Sequence, residues 1–409
     1  MPFALRPLVR PGVLGAVLLA ASSASAAPPT ETCRDATDRP NVVIVAGSSA
    51  VRPFLGTVAS LLAPTTTIVY QSQGSCTGVS AIFSDDPAKR RIRDIPEQGT
   101  TAANYAVYFK ADGTSVPCLL SADGDEVDVG VSDVYGSSCD QTPAAGIQVA
   151  DNQGPIQPMT FVVPGASTQH VISAAAAYLL FGLGGNNGQA APWTDPTYYF
   201  TRNASSGTQQ MIARAVDVPA DKWWGVDRGG SGGVRDGLKS LLDPTLAERA
   251  IGIVSADIAD SVRGDLRTLA FQSEGQSCGY LPDSTPYLFD KRNVRDGHYP
   301  VWGPIHFYTR VVNGIPSAAA ASLVARFATP KLDAALIGLI ADQHLLPKCA
   351  MNVDRSEEMG PLSVYHTDSR CSCLYDSIVN GSTDCRPCTS ATDCSADAPA
   401  CSYGFCETP

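Results

Sequence analysis

Four short β-rich runs in this chain each end on a turn that carries Ser, Gly or Asp, and three of those turns lead directly into a helical repeat. The first run is Asn41-Val42-Val43-Ile44-Val45-Ala46, followed by Gly47-Ser48-Ser49 and then Phe54, Leu55, Val58, Leu61 and Leu62 at helical spacing. Thr66 to Tyr70 is a second strand, and Gly74-Ser75 opens a helix with Val79, Ile82 and Phe83 on one face. Val127, Val129 and Val131 alternate into Ser132-Asp133, a third strand. Tyr198 to Thr201 is a fourth, leading into Arg202-Asn203-Ala204-Ser205-Ser206-Gly207-Thr208 and a helix marked by Met211, Ile212, Ala215 and Val216. Apolar β-branched runs of this length read as buried strands, and their alternation with helices predicts α/β layers with mostly parallel sheets.

In such sheets the ligand crevice lies beyond the carboxyl ends of the strands, where these four turns sit. A helix N-terminus presents unpaired N–H groups and a partial positive charge, so it favours anions. A single Ser at a helix start is most simply an N-cap; four such turns together point to a shared site. Arg202, four residues before Ser206-Gly207-Thr208, adds a charged fork suited to a tetrahedral oxyanion.

Taken in order, Ala46-Gly47-Ser48-Ser49-Ala50-Val51, Tyr70 to Val79, Val129-Gly130-Val131-Ser132-Asp133 and Arg202…Ser206-Gly207-Thr208 resemble the periplasmic phosphate-binding proteins of ABC transporters, which have a type II solute-binding fold. Ala250 to Val254, Tyr299 to Pro304 and Leu345-Leu346-Pro347 resemble later motifs of that family, so the resemblance spans roughly residues 40 to 348. It implies an α/β fold of two lobes joined by a two-strand hinge: lobe 1 over 36–152 and 274–350, and lobe 2 over 153–273. The crossovers are expected near Asn152 to Phe161 and Leu269 to Ser273. It implies phosphate ligands at Ser48, Ser49, Ala50, Val51, Ser75, Asp133, Arg202, Ser206, Gly207 and Thr208. An acid at Asp133 accepts the proton of hydrogen phosphate and repels unprotonated sulfate. The implied activity is reversible capture for an ABC transporter permease, with no cofactor and no metal. The chain departs from the family pattern in four places. Ala50 supplies no hydroxyl in the first turn, Ala204 replaces an acid that pairs with the Arg, Cys76 replaces a Ser, and Asp85 to Asp125 reads as an insertion near the cleft entrance.

Catalytic signatures do not support an enzyme. His170, His298, His306, His344 and His366 form no zinc or acid–base motif and read as surface or packed residues. A secreted phosphatase and an envelope or adhesion protein that reuses the fold are the alternatives. Trp223-Trp224 reads as core packing, and Gly229 to Gly233, lacking the Lys of a nucleotide loop, as a flexible connection. With 29 Lys and Arg against 40 Asp and Glu, the net charge of −11 argues against nucleic acid as a partner.

Arg6 and Arg10, an apolar run from Val13 to Ala21 and small residues to Ala26 read as a signal peptide over 1–26, directing the chain to the periplasm or the exterior. The run is too short to span a membrane. Cys33 has no apolar run directly before it, so a lipid anchor is not expected. Thirteen cysteines fit an oxidising compartment. Seven of them, from Cys371 to Cys406, crowd a C-terminal extension, 351–409, that has few large apolar residues and must be held by disulfides. Zinc at Cys385-x-x-Cys388 is the rival reading. Odd counts predict one bridge from the extension to the body, for which Cys349 is a candidate, and one thiol left over. The extension is a candidate envelope tether.

Overall fold

The computed structural model describes residues 31–34, 39–93, 105–185 and 190–408. The segment read as a signal peptide lies outside them. The elements that build the site are, in chain order, β1 (Val42–Gly47), α1 (Arg52–Leu62), β2 (Thr67–Ser72), α2 (Ser75–Phe83), β3 (Tyr105–Phe109), β4 (Ser115–Leu119), β5 (Val129–Ser132), β6 (Val149–Pro164), β7 (Tyr199–Thr201), α3 (Gly207–Val216), β8 (Val226–Asp227), α4 (Ser231–Lys239), β9 (Ile251–Ser255), α5 (Ala256–Ser261), β10 (Leu266–Thr268), β11 (Trp302–Val312), α6 (Ala334–Asp342) and α7 (Ser372–Asn380).

A 12-stranded sheet runs through the molecule in the order β8-β7-β9-β6-β11-β5-β1-β2-β3-β4, with β10 paired to β6 and Ile315–Pro316 to β11. The fold is α/β, as the alternating pattern predicts, but the sheet is mixed rather than mostly parallel. Parallel pairing is found for β1 with β2 and β5, and for β7 with β8 and β9. The two long strands β6 and β11 lie antiparallel to each other from Trp302↔Pro158 to Arg310↔Val149. β6 continues past that ladder to pair with β9 and β10, and β11 also pairs with β5. One chain enters the second half of the sheet and returns beside itself, so those strands must oppose one another. Residues Ala270–Gln272, near the expected second crossover, pair in parallel with Val171–Ser173.

The core follows from the strand composition. β1 is buried over five of its six positions, so neither of its faces meets water and only apolar side chains suit it. One cluster packs Val43, Val45, Phe54, Leu55, Ile68, Phe307 and Ile340 on one face of the first half, and another packs Ile44, Val69, Val79, Ile82 and Tyr308 on the other. The second half is centred on Phe161, Phe181, Met211, Ile212 and Trp302. Trp223 stacks on Phe181 at 4.3 Å, whereas Trp224 is half exposed, which corrects the reading of both as core.

The segment read as an insertion is in part the β3–β4 hairpin, added to β2 and fastened by Cys33–Cys118. The extension is bridged to the body by Cys349–Cys371, as the cysteine count suggests, and internally by Cys373–Cys385, Cys388–Cys401 and Cys394–Cys406. Cys385 and Cys388 are therefore disulfide sulfurs rather than thiolates open to zinc. Cys278 is left as an exposed free thiol. The extension is also seated by side chains: Tyr375 is fully buried and its hydroxyl donates to Phe289 O at 3.1 Å, and that of Tyr403 donates to Leu332 O at 2.7 Å. Among the described residues no helix is long and apolar enough to cross a membrane.

Candidate functional site

Each turn at a strand end is shaped by its neighbours. Gly47, at φ +140°, closes β1 where a Cβ would lie 1.9 Å from Val131 O. The following Ser48 N donates to that same carbonyl at 3.1 Å. Ser48 caps the one-turn helix Ser49–Val51, its hydroxyl accepting from Ala50 N at 3.1 Å. That hydroxyl also donates to Asp133 Oδ2 at 2.7 Å, so β1 and β5 present one joined unit. Val51 turns into the core with Phe54. Ser75 begins α2, and its hydroxyl accepts from Asp133 N at 3.2 Å. A disulfide between Cys76 and Cys139, with Cα atoms 5.2 Å apart, braces the start of α2 against the turn that follows Asp133.

The second half supplies α3. Ser206 is its N-cap, with Gln209 N donating to the hydroxyl at 3.5 Å. Gly207 faces the first half so closely that a Cβ would lie 2.4 Å from Ser75 Oγ and 2.9 Å from Asp133 Cβ. Only glycine lets the helix N-terminus approach the carboxylate this far. The halves also touch through Cys76 N to Ser205 O at 3.0 Å. Arg202 leaves the end of β7 and is 5% exposed. Its guanidinium donates to Gly229 O at 2.5 Å, Ser231 Oγ at 2.9 Å and Ser49 Oγ at 3.1 Å. The last bond spans the two halves.

Two buried oxygens in this cluster, Asp133 Oδ1 and Thr208 Oγ1, have no hydrogen-bond partner in the protein. A buried polar atom without a partner costs about 1–3 kcal/mol, so the pair marks a place built for another group. Burial pushes the Asp133 carboxyl up to about 6, against the pull of the Ser48 hydroxyl, the Arg202 charge and the Ser75 hydroxyl. Burial likewise lowers Arg202, opposed chiefly by Asp133. The chemistry on offer is a cationic fork, hydroxyls, helix amides and one carboxylate, enclosed together.

The ten residues singled out in the sequence thus fall in one neighbourhood, apart from the inward-turned Val51 side chain. Two others were missed. Ser231 lies in the Gly-rich stretch read as a flexible connection; it is instead buried at the start of α4 and bonded to Arg202. It takes over the restraining role left open by Ala204. Glu358, in the extension, is 7% exposed; it accepts from Tyr135 N at 2.9 Å and from the Ser138 hydroxyl. Arg214 of α3 donates to that hydroxyl at 3.0 Å. The extension therefore fastens the Asp133 turn and, through Ser138, touches the second half. Nothing in the local sequence around Glu358 signals this.

No protein-family model matches the chain, and no curated protein matches it either. Solved structures do. A Clostridium perfringens structure described as a phosphate ABC transporter substrate-binding protein with bound phosphate has a TM-score of 0.49 and 14% identity, covering 75% of this chain and 99% of that one. An ABC-type phosphate transport receptor from Vibrio cholerae has a TM-score of 0.46 and 13% identity, with 75% and 99% covered. A phosphate-binding protein from Stenotrophomonas maltophilia has a TM-score of 0.45 and 14% identity, with 75% and 90% covered. The reading of the site rests on its geometry.

Proposed function

We propose that the chain captures inorganic phosphate, or a similar tetrahedral oxyanion, between its two halves, and does so without chemistry. The observation that carries this is the meeting of Arg202, Asp133, Ser75 and the N-terminus of α3, drawn from three distant segments, with Asp133 Oδ1 and Thr208 Oγ1 buried and unpartnered. Arg202 donates to two oxygens of the anion as a planar fork. The Gly207 and Thr208 amides, the Thr208 hydroxyl and the hydroxyls of Ser49, Ser75 and Ser231 supply further donors. Asp133 accepts the proton that hydrogen phosphate carries and sulfate lacks, and Ser48 holds it in place. Excluding water strengthens every one of these bonds.

Residues 36–152 with 274–350, and residues 153–273, act as lobes that open and close about the crossovers near Asn152 to Phe161 and Leu269 to Ser273. The chain is exported and hands its ligand to an ABC transporter permease. Equilibrium dialysis of ligand-stripped protein against labelled phosphate tests the reading. Saturable binding of one phosphate, not displaced by excess sulfate, supports it; absence of saturable binding rejects it.

A further inference from the structure

On the side of Ser49 and Ser231 the site opens into a cavity of about 620 Å³. Arg52 from the first half and Arg235, Asp257 and Ser261 from the second line it together with those two serines. Its size falls among pockets that hold small organic molecules and is generous for a lone tetrahedral ion. Its walls set Arg, Asp and Ser side chains beside apolar surface such as Pro53 and Ile258, so polar groups on an occupant would find partners there. Ser49 and Ser231, bonded to Arg202, belong to both spaces.

Asp257 is the second observation. It is 7% exposed, and Gln157 Nε2 donates to its Oδ1 at 3.0 Å. Burial raises its carboxyl to about 7, and the charge of Asp133 adds to the rise. A carboxylate accepts up to about four hydrogen bonds, so beside the Gln157 donor Asp257 keeps capacity for one more from the cavity. Asp133 already answers the one proton that a hydrogen phosphate brings, so the acceptor that Asp257 turns to the cavity suits a donor elsewhere on the ligand.

Resting on the oxyanion reading above, we propose that the ligand is a phosphomonoester of a small hydroxylated molecule, its phosphoryl group held by Arg202 and α3 and its hydroxylated part lying in this cavity, where a hydroxyl donates to Asp257. A monoester keeps one oxygen that takes up a proton near pH 6, so Asp133 still has its partner.

Calorimetry on the full chain, stripped of ligand with its disulfides intact, compares inorganic phosphate, methyl phosphate and glycerol 3-phosphate. Glycerol 3-phosphate is expected to bind about tenfold or more tightly than methyl phosphate, since a hydrogen bond to a charged group contributes about 1.5–3 kcal/mol. Asp257→Asn narrows that ratio. Gly232→Leu puts a side chain at the cavity wall, where the nearest atom to a new Cβ is Arg235 Nη2 at 3.8 Å. It is expected to weaken glycerol 3-phosphate by about tenfold while phosphate binding persists. If phosphate binds but glycerol 3-phosphate gains nothing over methyl phosphate, or Gly232→Leu weakens all three equally, the inference is overturned and the oxyanion reading stands. If none of the three binds, both are overturned.

Discussion

Asp133→Asn separates the cost of the buried carboxylate from its use. Raising this carboxyl from its ordinary 3.8 to about 6 corresponds to about 3 kcal/mol of differential interaction. Because the folded-state value lies above the unfolded one, the folded protein holds more protons than the unfolded chain between about pH 4 and 6. Stability therefore falls as pH rises through that window, and the full penalty is in place above it. Asn carries no charge and keeps an acceptor for the Ser48 hydroxyl. Without ligand, Asp133→Asn is expected to stabilise the protein by about 1–3 kcal/mol at pH 8, with the difference shrinking toward zero near pH 4. With phosphate the order changes, because the variant loses the acceptor for the ligand's proton. Its phosphate affinity is expected to fall about tenfold or more, and sulfate becomes a competitor. Urea unfolding of stripped protein at several pH values, with and without phosphate, measures both effects. A variant no more stable than the parent at pH 8, with a gap that ignores pH, would refute the reasoning.

Other perturbations reach the remaining links. Arg202→Ala removes the fork and is expected to weaken phosphate by about 2–3 kcal/mol in dialysis; an unchanged affinity would place the anion elsewhere. Lys291 is fully buried and bonds Asp260 at 2.6 Å and Asp283 at 2.8 Å. Lys291→Met leaves these two buried carboxylates to Arg263 alone and is expected to cost about 1–3 kcal/mol in urea unfolding, with no measurable cost contradicting that account. Glu358→Ala leaves the Tyr135 N–H and Ser138 without their acceptor, and is expected to cost about 1–3 kcal/mol and to weaken phosphate. Glu357→Ala, at an exposed neighbour, serves as the neutral control. Thiol titration of the denatured, unreduced chain is expected to find one group, at Cys278; two or more would break the bridge assignment.

Much of the site is legible in the sequence because strand ends are. The runs Asn41–Ala46, Thr66–Tyr70, Val127–Val131 and Tyr198–Thr201 each locate a turn, and α/β architecture sends such turns to a common crevice. That logic reaches Ser48, Ser75, Asp133 and Gly207 without knowledge of strand order. It does not reach Ser231, because a Gly-rich stretch carries the same local signal whether it flexes freely or starts a helix; tertiary contact with Arg202 decides. Glu358 is hidden for a different reason. Its partners, Tyr135 and Ser138, lie more than 200 residues away, and no local pattern encodes such a distance. The mixed sheet was missed because a buried strand shows the same apolar run in either direction. The extension illustrates both sides. Cysteine parity exposes its bridge to Cys349, whereas the burial of Tyr375 against Phe289 depends on a tertiary contact that the short helix Ser372–Asn380 does not encode locally.

The most direct measurement is a crystal structure of the protein grown with phosphate. The account predicts a single tetrahedral density between the halves, within hydrogen-bond distance of the Arg202 guanidinium, the Thr208 hydroxyl and the Asp133 carboxylate. Density bound elsewhere, with these three groups bonded only to protein or water, would contradict it.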